Sequence, residues 1–405
     1  MATKYTAPID IGVHCSAISN LGPNWESCWS GLIAGKRPFS VGSEIIAGWP
    51  ECPPLAAITD FGHFNGQPTF SERFSMLLRC VALDMAPHVA MLISRQPDLR
   101  VSIIVASSGG DPGFVSAKID SEVKPGGGSE EVTARVNSGM VGHDWELDLR
   151  EAIGHNAHVS MIFGACASSL VAISSAADRI NAGVSDVVVV MALDSMARLG
   201  AVGFKNIGAS AANGATPYDK TRTGTTVGEG GVGLLLARNG VLQNGEIAGR
   251  VAGTAVYCDA AHMVEPNPLG VAHVVKTALE QASVHPSDVT AVYWHGTGTR
   301  QNDKTESAVA GIVFGKLSPP STSTKGCLGH TMGASGGFNV LGACKTIETG
   351  LLPHVAGTTD PEYDNLDLVL GLPRSVRRGP VLITALGFGG INAATVVIPC
   401  EGATA

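Results

Sequence analysis

Phe163-Gly164-Ala165-Cys166-Ala167-Ser168-Ser169-Leu170 sets a single thiol among small residues. A helix-compatible run, Leu170 to Ile180, follows it. Beyond lies Val184 to Leu193, whose unbroken apolar residues predict a buried strand. A cysteine at a helix start sits near unpaired backbone N–H groups and the positive end of the helix dipole. Both lower the cost of the thiolate, the form that attacks carbonyls. The plainer reading, a small buried apolar residue, stays open at this point.

Working outward, strands and helices alternate. Residues 9–14 read as a first strand and Trp25 to Ala34 as a short amphipathic helix. Residues 40–70 read as loop, Phe74 to Ser94 as helix, and Val101 onward as a buried strand ending in a glycine turn. From Asp111 to His143 the chain turns polar and Gly-rich, which predicts a surface excursion or cap. Later strands are predicted before Ala237, over 289–293, and over 381–385 and 393–398. The alternation implies an α/β fold with sheets covered on both faces. A weak echo accompanies it. The helix after Cys166 ends at Asn181-Ala182-Gly183, and the helix after His330 ends at Glu348-Thr349-Gly350, each before an apolar segment. Two copies of one βα-rich unit would explain this.

The 405 residues suffice for two or three domains or one doubled fold. With 44% hydrophobic and 15% charged residues, the chain buries much of itself and is not disordered. The net charge of −8 offers no basic field for nucleic acid. No apolar run long enough for a bilayer is evident, and the N-terminus lacks the pattern of a signal peptide. Nine cysteines without a Cys-x-x-Cys pair fit a reducing cytoplasm.

Two histidines alter the reading of Cys166. His295 opens His295-Gly296-Thr297-Gly298-Thr299 at a predicted strand end, and His330 closes Lys325-Gly326-Cys327-Leu328-Gly329-His330 before a Gly/Ala-rich helix. One thiol and two imidazoles at such junctions suit thioester chemistry. The thiolate accepts an acyl group, and imidazole N–H donors stabilise a carboxylate or an enolate oxygen. Gly296, Gly298 and Gly329 are expected to let the backbone approach a ligand. His14, His63, His88 and His354 are read as structural, and no zinc-ligand spacing is present, so no metal is expected.

These motifs, in order along nearly the whole chain, resemble a β-ketoacyl-acyl-carrier-protein synthase of the elongating type. The resemblance rests on Gly164 to Ser169, on Pro217-Tyr218-Asp219 with Gly228-Glu229-Gly230, and on His295 to Thr299 with Asn302, Asp303 and Glu306. It continues through Lys325 with Gly329-His330 and Gly333-Ala334, and through Gly387-Phe388-Gly389-Gly390 with Asn392. It implies the thiolase fold, an α/β architecture of two βαβαβ-type halves in α-β-α-β-α layers. The halves are expected at 1–250, carrying the cysteine and cap, and 251–405, carrying both histidines.

It also implies roles. Cys166 would take an acyl group from the phosphopantetheine arm of an acyl carrier protein. His295 and His330 would promote decarboxylation of a malonyl-type extender and hold the enolate, with Lys325 as a supporting charge. The backbone N–H groups of Cys166 and Phe388, with Gly389 beside them, would form the oxyanion hole and gate. Thr297 and Thr299 would bind pantetheine. No cofactor beyond the carrier's own arm is implied. The expected partners are that carrier and a second ketosynthase-like protomer, identical or not.

Several positions depart from the family pattern. Asn339 stands where a glutamate pairs with the lysine, Arg222-Thr223-Gly224-Thr225 replaces Arg-Asp-Gly-Phe, and Ile391 and Leu386 alter the gate. Arg73 beside Glu72 leaves a thin basic docking cluster. These departures point to a stand-alone synthase of secondary metabolism. Three competing readings are a non-decarboxylative acyltransferase using the same cysteine, a non-catalytic chain-length partner, and a degradative thiolase. Cys166 itself argues against the second. The lack of a second cysteine in the gate argues against the third.

Overall fold

The computed structural model describes residues 7–64, 66–113 and 157–400. Most of the cap read at 111–143 therefore lies outside the described residues. In chain order the strands are β1 Ile9–Gly12, β2 Ser16–Ser19, β3 Val101–Ser107, β4 His158–Phe163, β5 Val187–Asp194, β6 Gly230–Ala237 and β7 Ile247–Cys258. They continue as β8 Ala291–Tyr293, β9 Ser321–Thr322, β10 Leu351–Leu352, β11 Arg374–Ser375, β12 Val381–Gly387 and β13 Ile391–Ile398. The helices are α1 Trp25–Ile33, α2 Gly42–Ile45, α3 Phe70–Arg95, α4 Ser168–Asn181, α5 Arg198–Asn206, α6 Pro268–Gln281, α7 Arg300–Phe314, α8 Lys325–Leu328 and α9 Ser335–Thr349.

The main sheet runs β4-β3-β5-β6-β1-β7-β13-β12-β8-β9, with β2 added to β6. Its pairing is the same read outward in either direction from the β1–β7 junction. On each side come two antiparallel pairings and then two parallel ones. This is the duplication that the helix echo suggested. The expected division at 250/251 falls inside β7.

Three apolar clusters stack the halves into layers. The central one sets α4 (Leu170, Ile173) and α9 (Phe338, Leu341) between Val188 and Val190 of one half-sheet and Ile383 and Ala385 of the other. On the outer face of the first half-sheet, Leu77, Val81 and Met85 of α3 pack on Val105 and Met191. On the outer face of the second, Val271 and Val275 of α6 and Val309 of α7 pack on Val292, Leu382 and Val396. The order α-β-α-β-α follows from which faces are apolar.

Several expectations are corrected here. Residues 40–70 contain the short helix α2. Among the described residues α3 is apolar and long enough to cross a membrane. Its buried face against β2, β5 and β6 makes it a core helix. Arg73 and Glu72 are not a docking cluster. Arg73 is buried in a bidentate ion pair with Glu229 and also donates to the Ile58 carbonyl, while Glu72 caps α3 by accepting from the Thr69 N–H.

Candidate active site

The thiol sits at an elbow. β4 ends at Phe163, one 3-10 turn spans Ala165–Ala167, and α4 begins at Ser168. Ala165 holds φ at +47°, a left-handed conformation uncommon for a non-glycine residue. Ser168 braces the turn. Its hydroxyl accepts from the Gly164 N–H at 2.9 Å and lies 2.6 and 2.9 Å from the carbonyls of Ala165 and Ser107.

Cys166 is buried, and burial pushes its thiol up to about 12. The Asp194 carboxylate adds to this, while Lys325 and the backbone N–H groups of Phe388 and Cys166 oppose it. This corrects the expectation of a thiolate favoured by the helix start. Desolvation opposes ionisation of the thiol, so its proton leaves to a neighbouring base as the sulfur attacks.

That base is within the same cavity. A space of about 100 Å³ is lined by Cys166, His295, His330, Thr297, Thr299 and Phe388, among others. The imidazoles of His295 and His330 stand edge to face, centroids 5.2 Å apart. Burial, then the charge of Lys325, holds both well below the usual histidine range, so each is neutral, with one N–H donor and one lone pair. Ser335, in the first turn of α9, lies 3.1 Å from His330 Nδ1.

Lys325 is buried on α8, its Nζ donating to the His295 carbonyl and standing 3.3 Å from His295 Nδ1. Asn339, at the position of the missing glutamate, accepts from Thr324 Oγ1 at 2.8 Å. The nearby carboxylate is Glu306 on α7. It accepts from the His295 N–H at 2.7 Å and from the Gly296 N–H, Asn302 Nδ2 and the Tyr218 hydroxyl at 2.8 Å each.

Thr297 and Thr299 face one another, Oγ1 to Oγ1 at 2.9 Å, at the cavity wall. Phe388 is 37% exposed and stacks on Phe204 of α5, which meets His330 edge-on at 5.9 Å. The Gly389 N–H is donated to the Met263 carbonyl at 2.8 Å. It is therefore turned away from the oxyanion hole expected to include it, and the donors acting on the sulfur are those of Phe388 and Cys166.

The glycines also differ from expectation. Gly296 and Gly329 have φ of +46° and +66°. A Cβ on Gly296 would lie 2.5 Å from Ser323 Cβ, and one on Gly329 2.7 Å from Ala56 Cβ. On that side they admit neighbouring protein. His14, His63, His88 and His354 lie away from the cavity. His14 stacks on His88, and His63 pairs with Asp84. A larger cavity of about 610 Å³ opens around Lys345 and contains none of the expected site residues.

Three contributors escaped sequence reading: Phe204, Asp194 and the Tyr218 hydroxyl. A lone aromatic in the Gly-rich α5 gives no periodic signal. Asp194 simply ends an apolar strand.

A doubled α/β frame, with a buried thiol and two neutral imidazoles lining one cavity at its centre, defines a thiolase-fold protein. The family model described as "Beta-ketoacyl synthase, N-terminal domain" matches residues 91–240, and its C-terminal counterpart matches 248–359. The chain belongs to the β-ketoacyl synthase family. It is 31% identical over 258 residues to the tetracenomycin polyketide synthase ketoacyl synthase alpha subunit of Streptomyces glaucescens. That alignment covers 60% of this chain and 61% of the relative, so it spans about three fifths of that protein. Among solved structures, the ishigamide ketosynthase/chain length factor superposes with a TM-score of 0.84 at 26% identity, covering 97% of this chain and 100% of that one. A type II polyketide synthase acyl-carrier protein in complex with its hexaketide-bound ketosynthase gives 0.82 at 21% identity, covering 98% and 100%.

Proposed function

We propose that the chain is a β-ketoacyl synthase catalysing decarboxylative Claisen condensation on carrier-bound thioesters. The observation that carries this is the buried thiol sharing one cavity with two neutral imidazoles in edge-to-face contact. In the first half-reaction the Cys166 sulfur attacks an acyl-pantetheine carbonyl as its proton passes to an imidazole. The backbone N–H groups of Cys166 and Phe388 hold the tetrahedral oxyanion. Collapse expels the pantetheine thiolate, which takes the proton, and leaves acyl-Cys166.

In the second half-reaction a malonyl-type thioester loses CO₂, and the bonding pair moves into its thioester carbonyl. The imidazole N–H groups of His295 and His330 hold the enolate oxygen, with Thr297 and Thr299 binding the pantetheine arm. The enolate carbon attacks acyl-Cys166, and the Cys166 thiolate leaves, giving a β-ketoacyl thioester. The substrates are carried as thioesters on the phosphopantetheine of the acyl carrier protein, and the proposed steps call on no further cofactor.

The partners we assign are an acyl carrier protein and a second ketosynthase-like protomer, in a cytoplasmic pathway of secondary metabolism. Both kinds of partner occur among the solved relatives. Among the described residues β4 has one strand neighbour, β3, and its Met161, Ile162 and Phe163 remain partly or fully exposed. An apolar edge of this kind invites a second chain. Light scattering should give about twice the 41.5 kDa mass if the partner is a second copy; a fully active monomer would refute pairing.

The histidines test the chemistry. His330→Ala should acquire an acyl group on Cys166 more slowly, because the buried thiol then lacks one acceptor for its proton, and should release CO₂ from malonyl-carrier protein about 10²–10³-fold more slowly. His295→Ala should slow CO₂ release alike. Intact mass and labelled CO₂ are measured together. A wild type that passes its acyl group to another nucleophile yet releases no CO₂ with any extender would establish the transfer-only alternative instead.

A further inference from the structure

We propose that Tyr218 is a positioning residue: its hydroxyl holds the Glu306 carboxylate as the counter-charge of Lys325, whose ammonium fixes the His295 tautomer that donates from Nε2. The inference rests on the ketosynthase reading for its consequence, but its geometry stands apart from it.

Lys325 is buried, and a buried ammonium needs a compensating charge. Asn339 is neutral and engaged with Thr324. The carboxylates whose fields reach Lys325 are Glu306 and Asp303. Asp303 already has a cation of its own, with Arg222 Nε 3.0 Å from its Oδ2, and it accepts from the Tyr218 N–H at 2.7 Å. Glu306 flanks the same residue as Lys325, accepting from the His295 N–H while Lys325 donates to the His295 carbonyl, and its charge reaches the ammonium.

Glu306 gathers backbone donors from His295 and Gly296 and side-chain donors from Asn302, Thr384 and Tyr218. Tyr218 is the one that reaches in from the Pro217–Gly224 loop. Its backbone is held at φ +65°, an uncommon conformation for a bulky residue, maintained while Thr358 grips the Pro217 carbonyl at 2.6 Å. A lysine ammonium has three donors and no acceptor. At 3.3 Å, His295 Nδ1 must therefore accept from Lys325, which leaves the proton on Nε2.

The titratable groups around this relay are Glu306 and Asp303 on α7, Tyr218 and Arg222 in the loop, Lys325 on α8, His295 after β8, His330 before α9, and Cys166 at the elbow. Burial and the Asp303 charge raise the proton affinity of Glu306, and the Tyr218 hydroxyl lowers it. Burial lowers that of Lys325, and ionised Glu306 raises it. The direction of the test follows. Without the hydroxyl Glu306 protonates more readily, and Lys325 then loses its proton at lower pH.

The test is Tyr218→Phe, read by ¹⁵N NMR of histidine-labelled protein with the His295 signals assigned by difference from His295→Ala. The wild type should hold the Nε2–H form, and the pH at which that form is lost should fall by about one unit in the variant, the scale of one hydrogen bond to a buried carboxylate. The alkaline limb of CO₂ release should move the same way, with Cys166 acylation unchanged. An unmoved tautomer transition overturns the proposal, even if the rate falls, because lost packing alone would lower the rate without moving the transition. Should Tyr218→Phe not fold, Glu306→Gln reads the same link and must shift the transition in the same direction. A wild type that releases no CO₂ refutes the ketosynthase reading, while the His295 tautomer still decides the role of Tyr218.

Discussion

The turn that carries Cys166 has a twin, and the twin carries no thiol. In the first half Ala165, at φ +47°, opens the 3-10 turn Ala165–Ala167, and α4 begins at Ser168. In the second half Met332, at φ +48°, opens the 3-10 turn Met332–Ala334, and α9 begins at Ser335. Cys166 corresponds to Gly333, and the strand-end residue Phe163 corresponds to His330. The two helices lie side by side in the central layer, where the Gly337 N–H donates to Ser169 Oγ at 3.0 Å. Duplication thus supplies two elbows aimed at one centre, and divergence gives one a nucleophile and the other an imidazole.

The second elbow is closed by the first half. Asp194, at the end of β5, accepts from the Gly333 N–H at 2.6 Å as well as from Ser107 and Ser108. Burial raises its carboxyl to about 6, while those donors oppose the shift. Asp194 therefore ties the turn after β3 to the turn that follows His330, across the molecular midline.

The sharpest way to break this comparison is to make the elbows alike. Cys166→Gly should abolish acyl capture altogether, because the remaining thiols lie outside the cavity. Intact mass after exposure to acyl-carrier protein should show no adduct. An acyl group mapped to Cys327, Cys344 or Cys400, in either protein, would mean that the first elbow is not the acceptor.

How far the sequence discloses this frame depends on which faces are apolar. The buried strands β3, β5 and β12 and the helices α3 and α4 present continuous or periodic apolar residues, and the sequence reading finds them. It misses α7 because the buried face of that helix is polar: Asn302, Asp303, Thr305 and Glu306 point inward to hold the site. It misses β7 because Gly249 and Gly253 interrupt its pattern, and at Gly253 a Cβ would lie 2.2 Å from the Ala278 carbonyl of α6. α6 did carry a readable start, Asn267 capping Leu269 with Pro268 at the first position, and seven buried residues at helical spacing. The three reactive side chains were legible as motifs. Their protonation states were not, because burial sets them and burial is a property of the whole fold.

A smaller effect tests the second elbow. A Cβ on Gly333 would lie 2.8 Å from both Asp194 Oδ2 and the Ser108 backbone nitrogen. Neither can retreat easily, since the carboxylate and that nitrogen are bonded to each other. Gly333→Ala should therefore cost about 1–3 kcal/mol by overpacking, seen as a lower Tm, and the displaced turn should slow CO₂ release more than acylation because it adjoins His330. Gly203→Ala is the control. Gly203 lies within α5, and a Cβ there meets nothing within 4 Å. Removing a helical glycine at an open position is worth about 0.5–1 kcal/mol in favour of the fold, so its Tm should hold or rise. If Gly333→Ala also leaves the Tm unchanged, the second elbow has room for a side chain, and crowding by Asp194 is not what excludes a thiol there.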